Sequence, residues 1–427
     1  MRLGRVSKNI IWILVCKLVQ AVCALIINSL TARYFGPSNY GIISYAASLV
    51  AFVTPVMKLG VSNILVNEFI KSPDKEGEIL GTSMVLTGVS SVACIVGLVT
   101  FVWIASPSDT TTLLVVLLYS LLLFSQSIEQ IQYWFQAKYL SRIVSLVALA
   151  VYFVITGYKI FLLATGKSIF WFAASNAIDH MLIALILLII YYANKGQKLR
   201  FSRDILRRLW SNGRPYILPE MMGLVLQQSD RIMLRMLNGN REVGLYSVAL
   251  AISSMTVFVF NAVMISFHPI ILEKRMQNIK SYEHSLIRLY GIIIYLSILQ
   301  GVFILLFGEF VVSLLYGAEY AESVAMLKIV ICYTLFSYVG SVRSTWVQAE
   351  NKQRYLWSIS FFGMLLNLLL NAVMIPLWHG EGAAVATLLT QIFTNVILVA
   401  IIKPFRINLW YVWKSLNIKN WVRTDVD

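Results

Sequence analysis

Residues 143–164 have the sequence IVSLVALAVYFVITGYKIFLLA, 22 residues with a single charge, at Lys159. A helix rises 1.5 Å per residue, so about 20 such residues cross a bilayer core of ~30 Å. Roughly a dozen comparable stretches follow one another along the 427-residue chain, which is 59% hydrophobic and only 13% charged. Soluble domains are about a quarter charged. The sequence therefore predicts an all-α polytopic membrane protein and excludes a soluble fold.

Twelve transmembrane helices are predicted from the apolar stretches. They cover residues 10–30, 40–66, 79–105, 112–135, 143–164, 168–193, 215–237, 243–270, 285–308, 322–348, 355–377 and 382–402. With the amino terminus in the cytoplasm, 25 of the 35 Lys and Arg residues fall on the inner side, and three (Arg33, Lys167 and Arg241) fall in outer loops. This asymmetry follows the positive-inside rule. We therefore expect a multi-pass protein of the cell inner (plasma) membrane with both termini in the cytoplasm.

The position of the most basic loop predicts two halves of six helices each. Residues 195–214 contain seven Lys or Arg residues and lie at the middle of the chain. They are predicted to form a cytoplasmic linker between an N-terminal half, residues 1–194, and a C-terminal half, residues 215–403. Residues 404–427 form an interfacial tail in this interpretation. Its apolar side chains Leu409, Val412, Trp413 and Leu416 share one helical face, which favours a short helix on the inner membrane surface.

An internal repeat supports this division. Gly41-Ile-Ile-Ser44-Tyr-Ala46 is echoed 203 residues later by Gly244-Leu-Tyr-Ser247-Val-Ala249. A glycine, Gly36 or Gly239, lies five residues before each copy. Halves with an even number of spans enter the membrane in the same sense, as in parallel-repeat transporters whose substrate site lies between the halves. The repeat thus predicts alternating access between two similar halves.

Four stretches resemble the polysaccharide-export flippases of the MOP superfamily, which also contains the multidrug extruders and the peptidoglycan-precursor flippases. These are Arg33-Tyr-Phe-Gly36-Pro37-Ser-Asn-Tyr40-Gly41; Asp230-Arg231 with the second copy of the repeat; Leu315-Tyr316-Gly317-Ala-Glu-Tyr320; and Leu370-Asn371-Ala-Val-Met-Ile375-Pro376 with Gly382-Ala383-Ala384-Val-Ala386-Thr387. One departure is that Gly380 lies four residues after Pro376, where the family usually has a glycine three residues after the proline. Together the motifs extend from residue 33 to residue 387.

The resemblance implies a MOP-type transporter fold and a flippase function. A protein of this kind moves an oligosaccharide repeat unit, such as an O-antigen or capsular unit linked to undecaprenyl diphosphate, from the inner to the outer leaflet. The implied partners are the lipid-linked oligosaccharide, membrane lipids and other glycan-assembly membrane proteins. The alternative from the same superfamily is a cation-coupled multidrug or small-molecule exporter. The resemblance implies an acidic site in the first helix of that branch, whereas the first helix here carries Lys17 and no acid.

Charged residues inside the predicted spans identify the candidate site. Seven cations lie there (Lys17, Lys58, Lys159, Arg231, Arg235, Lys328 and Arg343), against four acids (Glu129, Asp179, Glu220 and Asp230). A cation at the bilayer centre costs about 2.5–3.5 kcal/mol on insertion scales, and a diphosphate can offset the unmatched charge. We predict a cationic cavity formed by Lys17, Arg231, Lys58, Lys159, Lys328 and Arg343. Asp230, Asp179 and Glu129 are predicted to act in coupling or in charge pairs.

Several of these residues also have structural interpretations that involve no substrate. Lys58, Lys159 and Arg235 lie near span ends, where their long side chains can reach the interface. Lys159 can alternatively pair with Asp179 on the neighbouring helix, and Arg343 and Glu129 can form a gate or simply stabilise packing. Asp179-His180 fits a proton-linked site and a structural hydrogen bond equally well. For Gln227 and Gln228, binding of sugars and helix packing are both open.

Catalytic, metal and nucleotide chemistry find little support in the sequence. Ala164-Thr-Gly166-Lys167-Ser168 imitates the end of a phosphate-binding loop, but Phe161 occupies the position of the required earlier glycine. The four cysteines and four histidines have no metal-ligand spacing. We therefore expect a protein that is not an enzyme, with no cofactor and no metal. The net charge of +15 is accounted for by the inner loops, so nucleic acid is not expected as a partner.

Overall fold

The computed structural model describes the backbone of residues 2–422 and the side chains of residues 19–420. Within the described residues the chain forms 17 α-helices, connected by short helical turns, and no β-strand. It divides into two compact units, Met1–Ile232 and Met233–Asp427. The boundary falls inside a helix, Ile217–Asn238.

The first unit contains eight helices and most of a ninth. They are α1 Arg2–Lys58, α2 Leu65–Lys71, α3 Glu76–Ala105, α4 Thr110–Glu129, α5 Gln132–Ala137, α6 Ser141–Ala164, α7 Ile169–Ala193, α8 Arg203–Gly213 and α9 Ile217–Asn238, which continues past the boundary. Short 3-10 turns occupy Val61–Asn63, Pro73–Lys75 and Arg214–Tyr216.

The second unit contains the remaining helices. They are α10 Asn240–Ser254, α11 Val257–Gln277, α12 Ile279–Tyr316, α13 Ser323–Ala349, α14 Arg354–Ile392, α15 Leu398–Ile401, α16 Arg406–Ser415 and α17 Lys419–Val422. A π-helical segment, Phe393–Ile397, joins α14 to α15, and 3-10 turns occupy Ala318–Tyr320 and Lys403–Phe405.

Each of the twelve predicted spans overlaps a helix of the described residues. Nine helical stretches of the described chain are long and apolar enough to cross a membrane. Two of them contain a backbone break, at Gly36 in α1 and at Trp378 and His379 in α14, so each holds two predicted spans. The last span is α9, which falls outside the nine because it carries four charges: Glu220, Asp230, Arg231 and Arg235. The all-α membrane fold is thereby confirmed.

Two predicted span boundaries were wrong. The predicted helix 243–270 consists of α10 and α11, which are separated at Met255 and Thr256. The predicted helix 40–66 ends at Lys58, where Leu59 and Gly60 both adopt positive φ values. Hydropathy does not register such breaks, because the residues on both sides of them are equally apolar.

The two repeat glycines have the same backbone conformation. Gly36 has φ 70° and ψ 172°, and Gly239 has φ 90° and ψ −177°. This region of positive φ and extended ψ is accessible essentially only to glycine, because a Cβ atom would clash with the backbone. Each glycine directly precedes the second helix of its half, so the sequence repeat corresponds to a repeated structural turn.

A second repeat is visible in the aromatic packing of each unit. Trp134-Phe-Gln-Ala137 begins at a buried tryptophan whose ring meets Tyr191 edge-on, with centroids 4.8 Å apart. Trp346-Val-Gln-Ala349 in the second unit likewise begins at a buried tryptophan, which meets Phe405 edge-on at 5.3 Å. In both units this pair lies in a hydrophobic cluster at the predicted cytoplasmic ends of the helices.

The basic loop, residues 195–214, is packed against the first unit. The backbone N–H of Arg200 donates to the carbonyl of Gly77 at 3.1 Å, and the N–H of Ser202 donates to the hydroxyl of Thr82 at 2.9 Å. In α8, Arg208 Nε lies 2.7 Å from Oε2 of the buried Glu68. The loop predicted to be a linker is therefore held to α2 and α3, and the boundary between the compact units lies further along the chain. The predicted domain limits at residues 194 and 215 stay a prediction.

Candidate functional site

Arg231 on α9 is held in a largely neutral polar environment within the first unit. Its Nη1 donates to Gln228 Oε1 at 3.3 Å and to the hydroxyl of the buried Ser48 at 3.4 Å. Ser48 lies halfway along the second part of α1, residues 37–58, so this contact is deep within the predicted membrane core. The hydroxyls of Tyr40 and Tyr119 lie within electrostatic range of the guanidinium.

The guanidinium of Arg231 retains unused hydrogen-bonding capacity. Its Nε is buried without a hydrogen-bond partner, and neither of its described hydrogen bonds goes to a carboxylate. A buried donor without a partner costs about 1–3 kcal/mol. Asp230, next to it, is only 4% exposed, but adjacent helical residues point about 100° apart. The role of Arg231 as a ligand for an anion stays a prediction.

A cavity of about 470 Å³ opens at the predicted cytoplasmic end of the same unit. It is lined by Thr54, Pro55, Lys58, Ser62, Asn63, Tyr133, Pro219, Glu220, Gly223, Leu224 and Gln227. Asn63 donates from Nδ2 to Glu220 Oε1 at 2.5 Å. This bond holds the Glu220 carboxylate in the wall of the cavity. The lining combines one cation, one acid, amides and hydroxyls, a donor and acceptor set suited to polar groups such as sugar hydroxyls.

Glu129 and His180 form a hydrogen-bonded pair near Tyr133, which lines this cavity. Glu129 Oε2 lies 2.7 Å from His180 Nδ1, and both side chains are partly accessible. Lys58 lies within electrostatic range of His180, and Tyr133 lies within range of Glu129. The predicted residues Lys58 and Glu129 therefore belong to one polar cluster at this end of the unit.

Lys159 and Asp179 lie in a separate polar cluster. Lys159 Nζ donates to Asn176 Oδ1 at 3.2 Å, and Asp179 lies within electrostatic range. The Oδ1 atom of Asp179 is buried without a hydrogen-bond partner. Its carboxylate lines a cavity of about 440 Å³ together with Gln20, Ala21, Ala24, Ala148, Tyr152 and Ile183. Lys159 and Asp179, predicted as a possible pair, thus interact electrostatically, while the described hydrogen bond of Lys159 goes to Asn176.

Two predicted cations belong to the second unit and lie in different surroundings. Lys328 is exposed on α13. Arg343 is 8% exposed, and its Nη1 donates to the carbonyl of Thr394 at 2.9 Å. Arg343 borders a small void of about 10 Å³ next to Tyr290, and its place in a cationic cavity stays a prediction. The side chain of Lys17 lies outside the described residues.

The structure thus distributes the predicted residues of the first unit over three clusters. Arg231 and Asp230 lie at mid-depth, Lys58 and Glu129 at the predicted inner end, and Lys159 and Asp179 between α6 and α7. Sequence reasoning missed their neutral partners Ser48, Asn63, Tyr133, Tyr152 and Asn176. The signal that could have identified them was a polar residue inside an apolar stretch. Asn176 is an example, because it lies only three positions before Asp179. Assignment of these clusters to substrate or coupling stays a prediction.

Residues 6–275 match the family described as polysaccharide biosynthesis protein. The chain belongs to this family. Residues 215–373 also match the MatE family. The resemblance indicated by the four sequence motifs is thereby confirmed.

Individual relatives agree with this assignment. The capsular polysaccharide biosynthesis protein CapF of Staphylococcus aureus is 21% identical over 390 residues, covering 90% of this chain and 96% of CapF. Among solved structures, an inward-facing multidrug resistance transporter of the MATE family in the MOP superfamily superposes with a TM-score of 0.71 at 13% identity, covering 95% of this chain and 96% of the other. The lipid II flippase MurJ superposes with a TM-score of 0.70 at 15% identity, covering 96% and 92%. The protein has the fold of a MOP-superfamily transporter.

Proposed function

We propose that this protein is a flippase for a lipid-linked oligosaccharide. Its substrate would be a repeat unit joined to undecaprenyl diphosphate, and it would carry this unit across the plasma membrane by alternating access. The diphosphate and sugars would pass through the polar interior while the polyprenyl chain stays in the lipid. Membership of the polysaccharide biosynthesis family and the similarity to CapF support this class of substrate.

The observation that carries the proposal is the environment of Arg231. A planar guanidinium can hold two oxygens of a phosphate with paired, charge-assisted hydrogen bonds. Here it is deep in the predicted membrane core, its described hydrogen bonds go to neutral oxygens, and its Nε is unoccupied. A diphosphate would supply the missing acceptor and the missing negative charge together. We assign Arg231 the role of diphosphate ligand.

The cavity lined by Lys58 and Glu220 suits the sugar portion. Its volume of about 470 Å³ lies in the range of ordinary ligand sites, about 300–1,000 Å³. Gln227 lies in its wall one residue before Gln228, the partner of Arg231, so α9 contributes to both places. The diphosphate and the first sugars would therefore bind along the same helix.

Substitution of Arg231 tests this function. The variants Arg231→Ala and Arg231→Lys are expressed in a strain that lacks its own flippase, and surface glycan and lipid-linked intermediate are measured. We expect a loss of about 10–150-fold in export for Ala, equivalent to the 1.5–3 kcal/mol of hydrogen bonds to a charged group. Export by Arg231→Lys should lie between that of the wild type and that of Arg231→Ala. Lysine keeps the positive charge but cannot make the paired hydrogen bonds of a guanidinium.

The matched control is Arg288→Ala, which removes an exposed arginine of α12. It should export normally, and all variants should reach wild-type abundance in the membrane. Normal export by Arg231→Ala at normal abundance would contradict the assignment. Accumulation of the intermediate on the inner leaflet is expected only for the Arg231 variants.

A second candidate function is cation-coupled export of small molecules. The observation that favours it is the carboxylate of Asp179, whose Oδ1 lacks a partner in a cavity lined mainly by apolar side chains and Tyr152. The match of residues 215–373 to the MatE family agrees with it. Measurement of drug susceptibility discriminates the exporter from the flippase. An exporter would protect cells from cationic drugs, and Asp179→Asn would abolish this protection. A flippase would give no such protection.

A further inference from the structure

The segment from Lys403 to Asn420 is basic and free of acidic residues. It contains Lys403, Arg406, Lys414 and Lys419 and not one Asp or Glu. Within it, α16 buries Asn408, Tyr411 and Ser415 against the second unit. The opposite face exposes Trp410 and Trp413, of which Trp413 is 71% exposed. One face of this short helix is therefore anchored, and the other presents aromatic and basic groups.

A pocket lies between this segment and α12. Its volume is about 580 Å³, and its walls are Tyr295, Trp413, Lys414, Leu416, Asn417, Ile418, Lys419 and Asn420. The hydroxyl of Tyr295 donates to the carbonyl of Leu416 at 2.8 Å, and Asn420 Nδ2 donates to the carbonyl of Lys414 at 2.8 Å. These bonds hold the turn after α16 in place, so the two lysines border a defined concavity.

The charge pattern of α12 puts the pocket at the predicted membrane interface. Residues 291–308 of α12 carry no charge, whereas residues 279–290 carry Lys280, Glu283 and Arg288. Tyr295 is five residues past Tyr290, which is about 7 Å along the helix axis. The pocket is therefore expected at the level where the headgroups meet the hydrocarbon core. Exposed tryptophans at this level are typical of interfacial anchoring.

Lys414 is positioned by an aromatic ring. Its Nζ lies 4.1 Å from the centroid of the Trp410 ring, a cation–π contact that keeps the ammonium at the rim of the pocket. Lys419 is exposed and lines the same pocket. The nearby carboxylate of Glu283 is engaged with Tyr411 on the buried side of α16. The rim thus keeps a net positive charge.

We propose that this pocket binds the headgroup of an anionic phospholipid. The phosphate would lie between Lys414 and Lys419, the amides of Asn417 and Asn420 would contact the glycerol portion, and the acyl chains would run along Leu416, Ile418 and Trp413. Charge complementarity favours an anionic over a zwitterionic headgroup, because each basic side chain at a membrane surface strengthens binding about fivefold. This site is independent of the flippase proposal.

Native mass spectrometry of the purified full-length protein tests the site. Protein with a wild-type sequence is equilibrated with phosphatidylglycerol or phosphatidylcholine and compared with the double variant Lys414→Gln/Lys419→Gln. We expect the wild type to retain phosphatidylglycerol preferentially and the double variant to bind it roughly 25-fold more weakly, from two charges of about fivefold each. Lys414→Arg/Lys419→Arg should restore the preference. Lys71→Gln/Lys75→Gln, which removes two exposed lysines of the first unit, is the matched control and should bind within twofold of wild type.

Cross-linking locates the lipid. A photoactivatable phosphatidylglycerol should label the peptide of residues 403–420 in the wild type and in the control, and this label should fall in the Gln variant. Equal retention of phosphatidylglycerol by the wild type and the Gln variant would overturn the proposal. So would equal retention of the two lipids by the wild type, or labelling confined to other peptides.

Discussion

Glu129 Oε2 lies 2.7 Å from His180 Nδ1 and thereby connects the end of α4 to the middle of α7. The pair is flanked by Lys58 and Tyr133, both of which line the 470 Å³ cavity. Removal of one partner leaves the other in a poorly solvated site without its hydrogen bond. We expect Glu129→Gln and His180→Asn each to destabilise the protein and their effects to be non-additive. The expected coupling energy is about 1–3 kcal/mol.

A double-mutant cycle on the purified protein in detergent measures this coupling. The control cycle combines Glu129→Gln with Glu322→Gln, which lies in the other compact unit and shares no partner with Glu129. Those two effects should add within about 0.5 kcal/mol. Additivity of Glu129→Gln with His180→Asn would show that the short contact contributes nothing to stability.

Gly77 provides a test of how the basic loop is held. A Cβ atom at Gly77 would lie 2.3 Å from the carbonyl oxygen of Lys198, too close for any non-bonded contact. Gly77→Ala should therefore displace the loop and lower stability by about 1–3 kcal/mol. Gly97 in the same helix is the control, because a Cβ there meets nothing within 4 Å. Gly97→Ala should be neutral or slightly stabilising, since alanine favours helices.

Thermal unfolding of the two variants checks this prediction, and limited proteolysis shows where the change occurs. In Gly77→Ala the bonds after Lys195, Lys198 and Arg200 should be cut faster by trypsin than in Gly97→Ala. Equal melting temperatures and equal cleavage rates would mean that the loop is not anchored at Gly77.

The shared conformation of Gly36 and Gly239 leads to a paired prediction. Both have positive φ with extended ψ, so a side chain at either position is strained by about 1–3 kcal/mol. Gly36→Ala and Gly239→Ala should lower the melting temperature by similar amounts. Gly157→Ala should not, because Gly157 is helical and a Cβ there meets nothing within 4 Å. A large effect at only one of the two positions would show that the repeated turn differs in importance between the halves.

These glycines also show what the sequence reveals about the fold. Hydropathy was sufficient for the all-α membrane fold, and the repeat identified Gly36 and Gly239. The break between α10 and α11 was missed, because Met255 and Thr256 lie among residues of similar character. The docking of residues 195–214 was missed as well: it depends on the close approach of Gly77 to Lys198, which are 121 positions apart.

The candidate site was only partly predictable for a related reason. Charge inside an apolar span was enough to select Arg231, Lys58 and Asp179. Which partner each charge meets depends on helix rotation, and a change of one residue turns a side chain by about 100°. Lys159 therefore bonds to Asn176, although Asp179 lies just three positions further along α7. The enclosure of Arg343 likewise depends on the π-helical segment at Thr394, for which the sequence carries no recognised pattern.

The ion pair of Arg241 and Glu322 predicts a pH dependence of stability. Two hydrogen bonds from Arg241, at 2.6 and 2.9 Å, lower the pKa of the Glu322 carboxyl below its ordinary value. A lowered folded-state pKa stabilises the protein above the unfolded pKa of about 4.3, and this contribution is lost as the pH falls through the folded-state value. Both side chains are about half exposed, so the contribution is at most about 1 kcal/mol.

Melting temperatures of the wild type and Glu322→Gln across pH 3–8 check this dependence. The wild type should be slightly more stable from pH 8 down to about pH 5, and the difference should disappear toward pH 3. High salt should reduce the difference at neutral pH, because exposed charges are screened. A difference that grows as the pH falls would have the wrong sign for this ion pair.

Arg343 allows packing to be separated from substrate contact. Its guanidinium is buried, hydrogen-bonded to Thr394 and adjacent to a void of only about 10 Å³. Arg343→Met keeps the side-chain volume and removes a buried charge, which is often neutral or stabilising. It also leaves a buried carbonyl without its donor, at a cost of about 1–3 kcal/mol. We expect the two effects to offset each other. Arg343→Ala opens a cavity and should cost about 2–5 kcal/mol. We therefore expect the Met variant to keep near-normal stability and to export glycan, unlike Arg231→Ala. A stable Arg343→Met protein without export would instead assign Arg343 to the transport pathway, because its packing would be intact while its charge alone was missing.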